Sequence, residues 1–175
     1  MWMWLLYALG GLVGLVVLLA GIGLFLPRDH IAARRAAFHQ PPETVWKAIV
    51  DVEQAPQWRS DLTGIERLPD REGRPVWVEV GKHGRMTMER IEADAPRKMV
   101  TRIADEDLPF GGTWTFEIVP TAEGCTLTLT ERGFVKNPVF RTLGRFVFGY
   151  TATMEGYLKA LGRKYGEEVT PVEPQ

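Results

Sequence analysis

The chain has 175 residues, 21 basic against 22 acidic side chains and 45% apolar residues. These values exclude a disordered chain, a collagen-like fibre and a multi-pass membrane protein. The near-neutral balance also argues against a nucleic-acid partner. The single cysteine, Cys125, excludes an internal disulfide framework and a cysteine-rich zinc site. Asn137, the only asparagine, precedes Pro138, so no glycosylation sequon exists.

From Trp2 to Leu26 no residue is charged. As a helix this run is about 37 Å long, enough to cross a hydrocarbon layer of about 30 Å with some tilt. Trp2, Trp4 and Tyr7 mark one end, where amphipathic rings favour the interface, and Pro27 and Arg28 close the other. A cleaved signal peptide fits less well. No Lys or Arg precedes the run, the run is too long, and no small-x-small site follows. Residues 2–26 are therefore read as a retained transmembrane anchor. Arg28, Arg34 and Arg35 follow it. The positive-inside rule then predicts a single-pass protein of the inner (cytoplasmic) membrane, with its soluble domain in the cytoplasm. Gly10 and Gly14 form a G-x-x-x-G pair, read as ordinary membrane-helix glycines rather than a dimer seam.

Residues 29–166 form one block without a flexible break, and 167–175, EEVTPVEPQ, read as a frayed, flexible tail. The block opens with a strand over His30–His39. A helix follows from Pro42, with Val45, Trp46, Ile49 and Val50 at helical spacing. Past Pro56 a second helical turn is expected through Trp58–Asp61. Strand signals then crowd together: Leu62–Leu68, a turn at Asp70–Gly73, Val76–Val80, a turn at Lys82-His83-Gly84, Met86–Ile91, Met99–Ile103, Thr113–Ile118 and Thr126–Thr130. From Asn137-Pro138 the period changes. Phe140, Leu143, Val147, Tyr150, Met154, Leu158, Leu161 and Tyr165 step by three or four, predicting one long amphipathic helix ended by Gly166. That helix must bury its stripe on the concave face of the sheet.

This order, carried by the segment PPETVWKAIVDVEQAPQW (Pro41–Trp58), the strand series and the closing helix, resembles the START-like, or SRPBCC, superfamily and its polyketide cyclase/dehydrase-type members. The resemblance spans about 29–166. It implies an α+β helix-grip fold: about seven antiparallel strands curved around a long C-terminal helix, two short helices after the first strand, and an apolar cavity between. It also implies a lipid, sterol, quinone, polyketide or plant hormone as ligand, and some members of the family are enzymes. The family has no universal catalytic motif, and the N-terminal anchor is not one of its general features.

The candidate ligand-binding surface comprises Val78, Val80, Met86, Met88, Trp114, Phe116, Ile118, Leu127 and Leu129 from strands, with Phe140, Leu143, Val147, Tyr150 and Met154 from the helix. Methionines suit a pliable ligand. Leu108, Pro109 and Phe110, ahead of two glycines, are candidates for a gate or a membrane contact. So are Arg141 and Arg145, which share a helix face beside Phe140, Phe146 and Phe148. Of Glu79, Arg90, Arg102, Glu117 and Glu131, alternation turns most outward and leaves one or two for the cavity. Ser60 lies in no nucleophile motif, and His30, His39 and His83 are scattered. No catalytic residue, metal ligand or cofactor is therefore assigned. The expected function is a membrane-tethered binding or carrier protein for a hydrophobic ligand, a lipid or prenyl quinone. The alternatives are a cyclase/dehydratase-like enzyme with a buried acid/base and an accessory subunit of a larger membrane complex.

Overall fold

In the computed structural model, which describes residues 2–82, 84–105 and 107–174, the uncharged stretch folds as one helix, α1 (Trp2–Phe25). Its side chains are apolar all round and most are exposed. Among the described residues it is the one helix long and apolar enough to cross a membrane. Three residues, Leu26 to Arg28, connect it to β1 (Asp29–Phe38).

Helix α2 (Pro42–Val50) starts where Pro42 supplies a preset φ, and it buries Val45, Ala48 and Ile49 at i, i+3 and i+4. The second helical turn lies upstream of its expected place, as a 3-10 turn over Val52–Gln57. Pro56 fits inside it because Gln54 and Trp58 donate the closing hydrogen bonds, to Asp51 and Ala55.

Six strands follow: β2 (Leu62–Arg71), β3 (Arg74–Gly81), β4 (Gly84–Asp94), β5 (Lys98–Ile103), β6 (Phe110–Thr121) and β7 (Gly124–Val135). The strands form one antiparallel sheet in the order β1-β7-β6-β5-β4-β3-β2. The turn at His83 lies outside the described residues. Irregular pairing at Leu62/Gly64, Leu68/Arg71 and Arg90/Glu92 accompanies the sheet's curvature. On the convex face Glu89 is fully buried, 3.5 Å from Arg74 and 2.8 Å from Arg102.

The expected single closing helix is three pieces. Asn137 caps α3 (Pro138–Leu143), its Oδ1 accepting from the amides of Val139 (2.8 Å) and Phe140 (3.3 Å). A π-helical turn runs over Gly144–Phe148, and Gly149, at φ +69°, redirects the chain into α4 (Ala152–Lys164). Only α4 grips the sheet. It buries Met154, Tyr157, Leu158 and Leu161 against Phe38, Val45, Ile49, Phe116, Ile118, Leu127 and Leu129. The α3 piece packs on α1 instead. Thr142 Oγ1 donates to the Leu19 carbonyl (2.8 Å) and Arg141 Nη1 to that of Leu26 (2.9 Å).

The tail does not hang free of the domain. Val169 joins the core, Val172 exchanges backbone hydrogen bonds with Arg35, and Glu167 accepts from the His39 amide. Gln175 lies outside the described residues.

Candidate functional site

Between the concave face and the helices α2 and α4 lies a chamber of about 300 Å³. Strands contribute Trp77, Glu79, Met86, Met88, Met99, Thr101, Phe110, Trp114, Phe116 and Glu131 to its wall, while Ile49, Trp58, Arg59, Thr153 and Tyr157 close it from the helical side. A wider mouth of about 790 Å³ adjoins it through Arg59, Glu79, Met86, Phe110, Trp114, Thr153 and Tyr157, which belong to both spaces. Leu108, Lys82 and Arg85 stand around the mouth.

An aromatic cluster forms the floor. The Tyr157 ring meets Trp58 edge-on at 5.3 Å, Phe116 at 5.6 Å and Trp114 at 6.2 Å, an arrangement favoured by the ring quadrupoles. The Arg59 guanidinium lies 5.4 Å from the same ring. It also pairs with Glu79 at 3.0 Å and with Asp61 at 2.7 Å. Burial alone would depress the Arg59 guanidinium, but Glu79 and Asp61 outweigh it and raise its pKa, so Arg59 stays charged. Burial raises the pKa of the Tyr157 phenol, which stays neutral at physiological pH.

Glu131 is the second acid in the wall. Its Oε1 lies 3.3 Å from His30 Nε2, and Trp114 stands opposite it in the β6–β7 register. Burial raises its pKa in spite of His30. The His30 ring stacks on Tyr150 at 3.9 Å and 15°. The indole N–H groups of Trp58 and Trp77, both wall residues, are buried without a hydrogen-bond partner among the described residues.

Of the surface predicted from the sequence, Met86, Met88, Trp114 and Phe116 line the chamber. Leu127, Leu129 and Met154 are fully buried in the solid core, and Ile118 joins them there. Val78 and Val80 are corrections. In β3 it is Trp77 and Glu79 that face the cavity, and the pleat turns the valines to the other side. Phe140, Leu143, Val147 and Tyr150 are corrections too. The break at Gly149 takes their segment away from the sheet; Phe140 and Val147 are exposed, and Tyr150 stacks on His30. At the proposed gate, Leu108 borders the mouth and Phe110 borders both spaces, while the Pro109 carbonyl accepts from the Lys136 amide. Arg141 is buried against the end of α1, whereas Arg145 is exposed.

Sequence reasoning missed Trp58, Arg59, Trp77 and Tyr157. An aromatic-basic pair just after a proline was the one available signal for Trp58 and Arg59. Glu79 and Glu131 are the inward members of the polar set; Arg102 turns outward to Glu89, and Glu117 is exposed. Cys125 sits in the core, its thiol pushed up to about 11 by burial. No cluster of metal-binding side chains occurs among the described residues.

Residues 31–166 match the family described as polyketide cyclase / dehydrase and lipid transport. No curated protein matches the chain. Among solved structures, a START superfamily protein from Mycobacterium smegmatis is 20% identical with a TM-score of 0.60, over 79% of this chain and 97% of that one. The Zhui aromatase/cyclase from a Streptomyces species is 15% identical with a TM-score of 0.61, over 77% and 93%. Norcoclaurine synthase from Thalictrum flavum is 12% identical with a TM-score of 0.61, over 78% and 86%. At these identities the likeness is one of fold.

Proposed function

Because the chain belongs to the polyketide cyclase / dehydrase and lipid transport family, we propose that it is a membrane-tethered binding or carrier protein for a hydrophobic ligand, a lipid or prenyl quinone. One observation carries this reading. The chamber is walled by aromatic and methionine side chains, and Arg59, the one cation lining it among the described residues, is paired with Glu79 and Asp61. Such a wall suits an apolar body. The unpartnered indole donors of Trp58 and Trp77 call for an acceptor, which a carbonyl on the ligand supplies. A ligand head fits the chamber while its tail extends through the mouth, each buried methylene contributing about 0.8 kcal/mol. Helix α1 would hold the domain in the inner membrane, on the cytoplasmic side by the arginine bias, where such ligands are concentrated.

The test is lipid extraction and mass spectrometry on full-length protein purified from its own membrane. A stoichiometric apolar species bearing a carbonyl supports the reading. Protein that carries no such species, and whose melting temperature does not respond to added lipids or quinones, refutes it.

Glu131 supports a second reading, a cyclase- or dehydratase-like enzyme. It is a cavity-wall carboxyl whose pKa burial raises, 3.3 Å from the His30 ring, as suits a general acid/base. Two of the similar structures are named as a cyclase and a synthase. Under this reading the extracted ligand is converted by the wild type and left unchanged by Glu131→Gln; under the carrier reading neither protein alters it.

A further inference from the structure

We infer that Pro138–Phe148 is a second membrane contact, packed along α1 and immersed with it in the bilayer, and that it holds the cavity mouth against the lipid. The inference rests on the tether reading above and specifies the surface that meets the membrane.

Docking of α3 on α1 is the first observation. Leu19 and Gly23 are spaced i and i+4, on one face of α1, and Leu26 follows just past its end. Thr142 and Arg141 hydrogen-bond to the carbonyls of Leu19 and Leu26, and a Cβ on Gly23 would overlap the Pro138 carbonyl. Only glycine permits this approach. Leu19 lies six residues before the end of α1 at Phe25. At about 1.5 Å per residue that is about 9 Å into the span, below headgroup level, so a segment bonded to Leu19 enters the hydrocarbon with it.

The outward side of the segment is the second. Phe140 is 50% exposed, and Phe146, Val147 and Phe148 are 65–66% exposed. Four large apolar side chains on eleven consecutive residues are costly in water, and lipid removes that cost. Arg141 is buried and held by the Leu26 carbonyl, while Arg145 is exposed on the same segment and free to meet headgroup phosphates.

Strand register supplies the third. β1 begins at Asp29 opposite Phe134, and β6 begins at Phe110 opposite Val135, so α1 and the mouth residues Leu108 and Phe110 share one end of the sheet. The start of β4 beside the mouth, Gly84 and Arg85, lies at that end as well, since Thr87 accepts from the amide of Ala104 just past β5. With Pro138–Phe148 immersed, the mouth faces lipid, and an apolar ligand passes between bilayer and chamber without crossing water.

The test uses the full-length chain in phosphatidylcholine vesicles carrying doxyl-labelled lipids. An environment-sensitive fluorophore is placed in turn at Phe146→Cys, Phe148→Cys, Val16→Cys and Val119→Cys. Cys125 is fully buried and stays unlabelled. Val16 lies in α1, and Val119, exposed near the far end of β6, is the aqueous control. The expected result is blue-shifted emission at positions 146 and 148, quenched as strongly as at 16, with 119 unquenched. If 146 and 148 behave like 119 while 16 is quenched, this contact is overturned and the tether stands. An unquenched label at 16 overturns the tether and this contact with it.

Discussion

Arg59 and Glu79 join fork to fork at the passage between chamber and mouth, with Nη1 3.0 Å from Oε1 and Nη2 3.1 Å from Oε2. Their side chains are only 13% and 12% exposed. The pair brings two opposite charges into an apolar wall and sets them directly against each other.

Removing Arg59 takes away the ion-pair partner of buried Glu79, whereas Arg59 keeps Asp61 when Glu79 is removed. Arg59→Leu is expected to destabilise the fold by about 3–5 kcal/mol, the usual result of breaking a buried pair. Arg59→Leu with Glu79→Leu should recover most of that loss. Urea unfolding of the single and double variants measures both effects.

Glu131 gives a pH signature. Its pKa is raised by burial, so the folded chain holds that proton more tightly than the unfolded chain does. Its contribution to stability is therefore full below the ordinary glutamate range and declines as pH rises through its raised value. Glu131→Gln abolishes this decline. The variant should gain stability relative to wild type as pH increases through that window, read from urea midpoints in a pH series. A constant difference between the two proteins refutes the assignment.

The Trp77 indole separates ligand binding from stability. Trp77→Phe keeps the apolar wall and removes a buried donor that has no partner, so the fold should lose little stability. Affinity for a carbonyl-bearing ligand should fall about tenfold, near 1.4 kcal/mol, if the ligand satisfies that donor. Titration of the extracted ligand into both proteins decides it.

The α1–α3 contact is open to two graded changes. Thr142→Val keeps the shape and deletes the bond to Leu19, at a cost of about 0.6 kcal/mol, typical of hydrogen bonds between membrane helices. Gly23→Leu drives a side chain into Pro138 and should separate the helices. Chymotryptic cleavage near Phe148 in detergent should rise slightly for the first variant and sharply for the second.

Much of this architecture was legible. Turn residues and alternation located the strands, and an uncharged run located α1. The facing of β3 was not legible, because alternation reports burial only where one face is wet. Here Val76 is fully buried opposite Glu89 on the convex side, while Trp77 is buried on the concave side. Glu79 looked like a solvent-facing residue because its partner, Arg59, lies 20 positions away in a loop. The closing helix failed for another reason. Phe140, Leu143 and Val147 keep helical spacing, but periodicity does not say what covers the apolar side, and on that side the sheet is absent.

The bridge between Val172 and Arg35 bears on how neighbouring copies behave. A sheet has two margins, and bare margins recruit other strands. On β2 the margin carries Glu66, Arg67, Pro69, Asp70 and Arg71, and charge with proline discourages pairing. On β1 the tail occupies backbone groups at Arg35 and His39. A chain cut after Val169 would lose the Val172 pairing and bare the β1 margin at Arg35, while Glu167 would still hold the His39 amide.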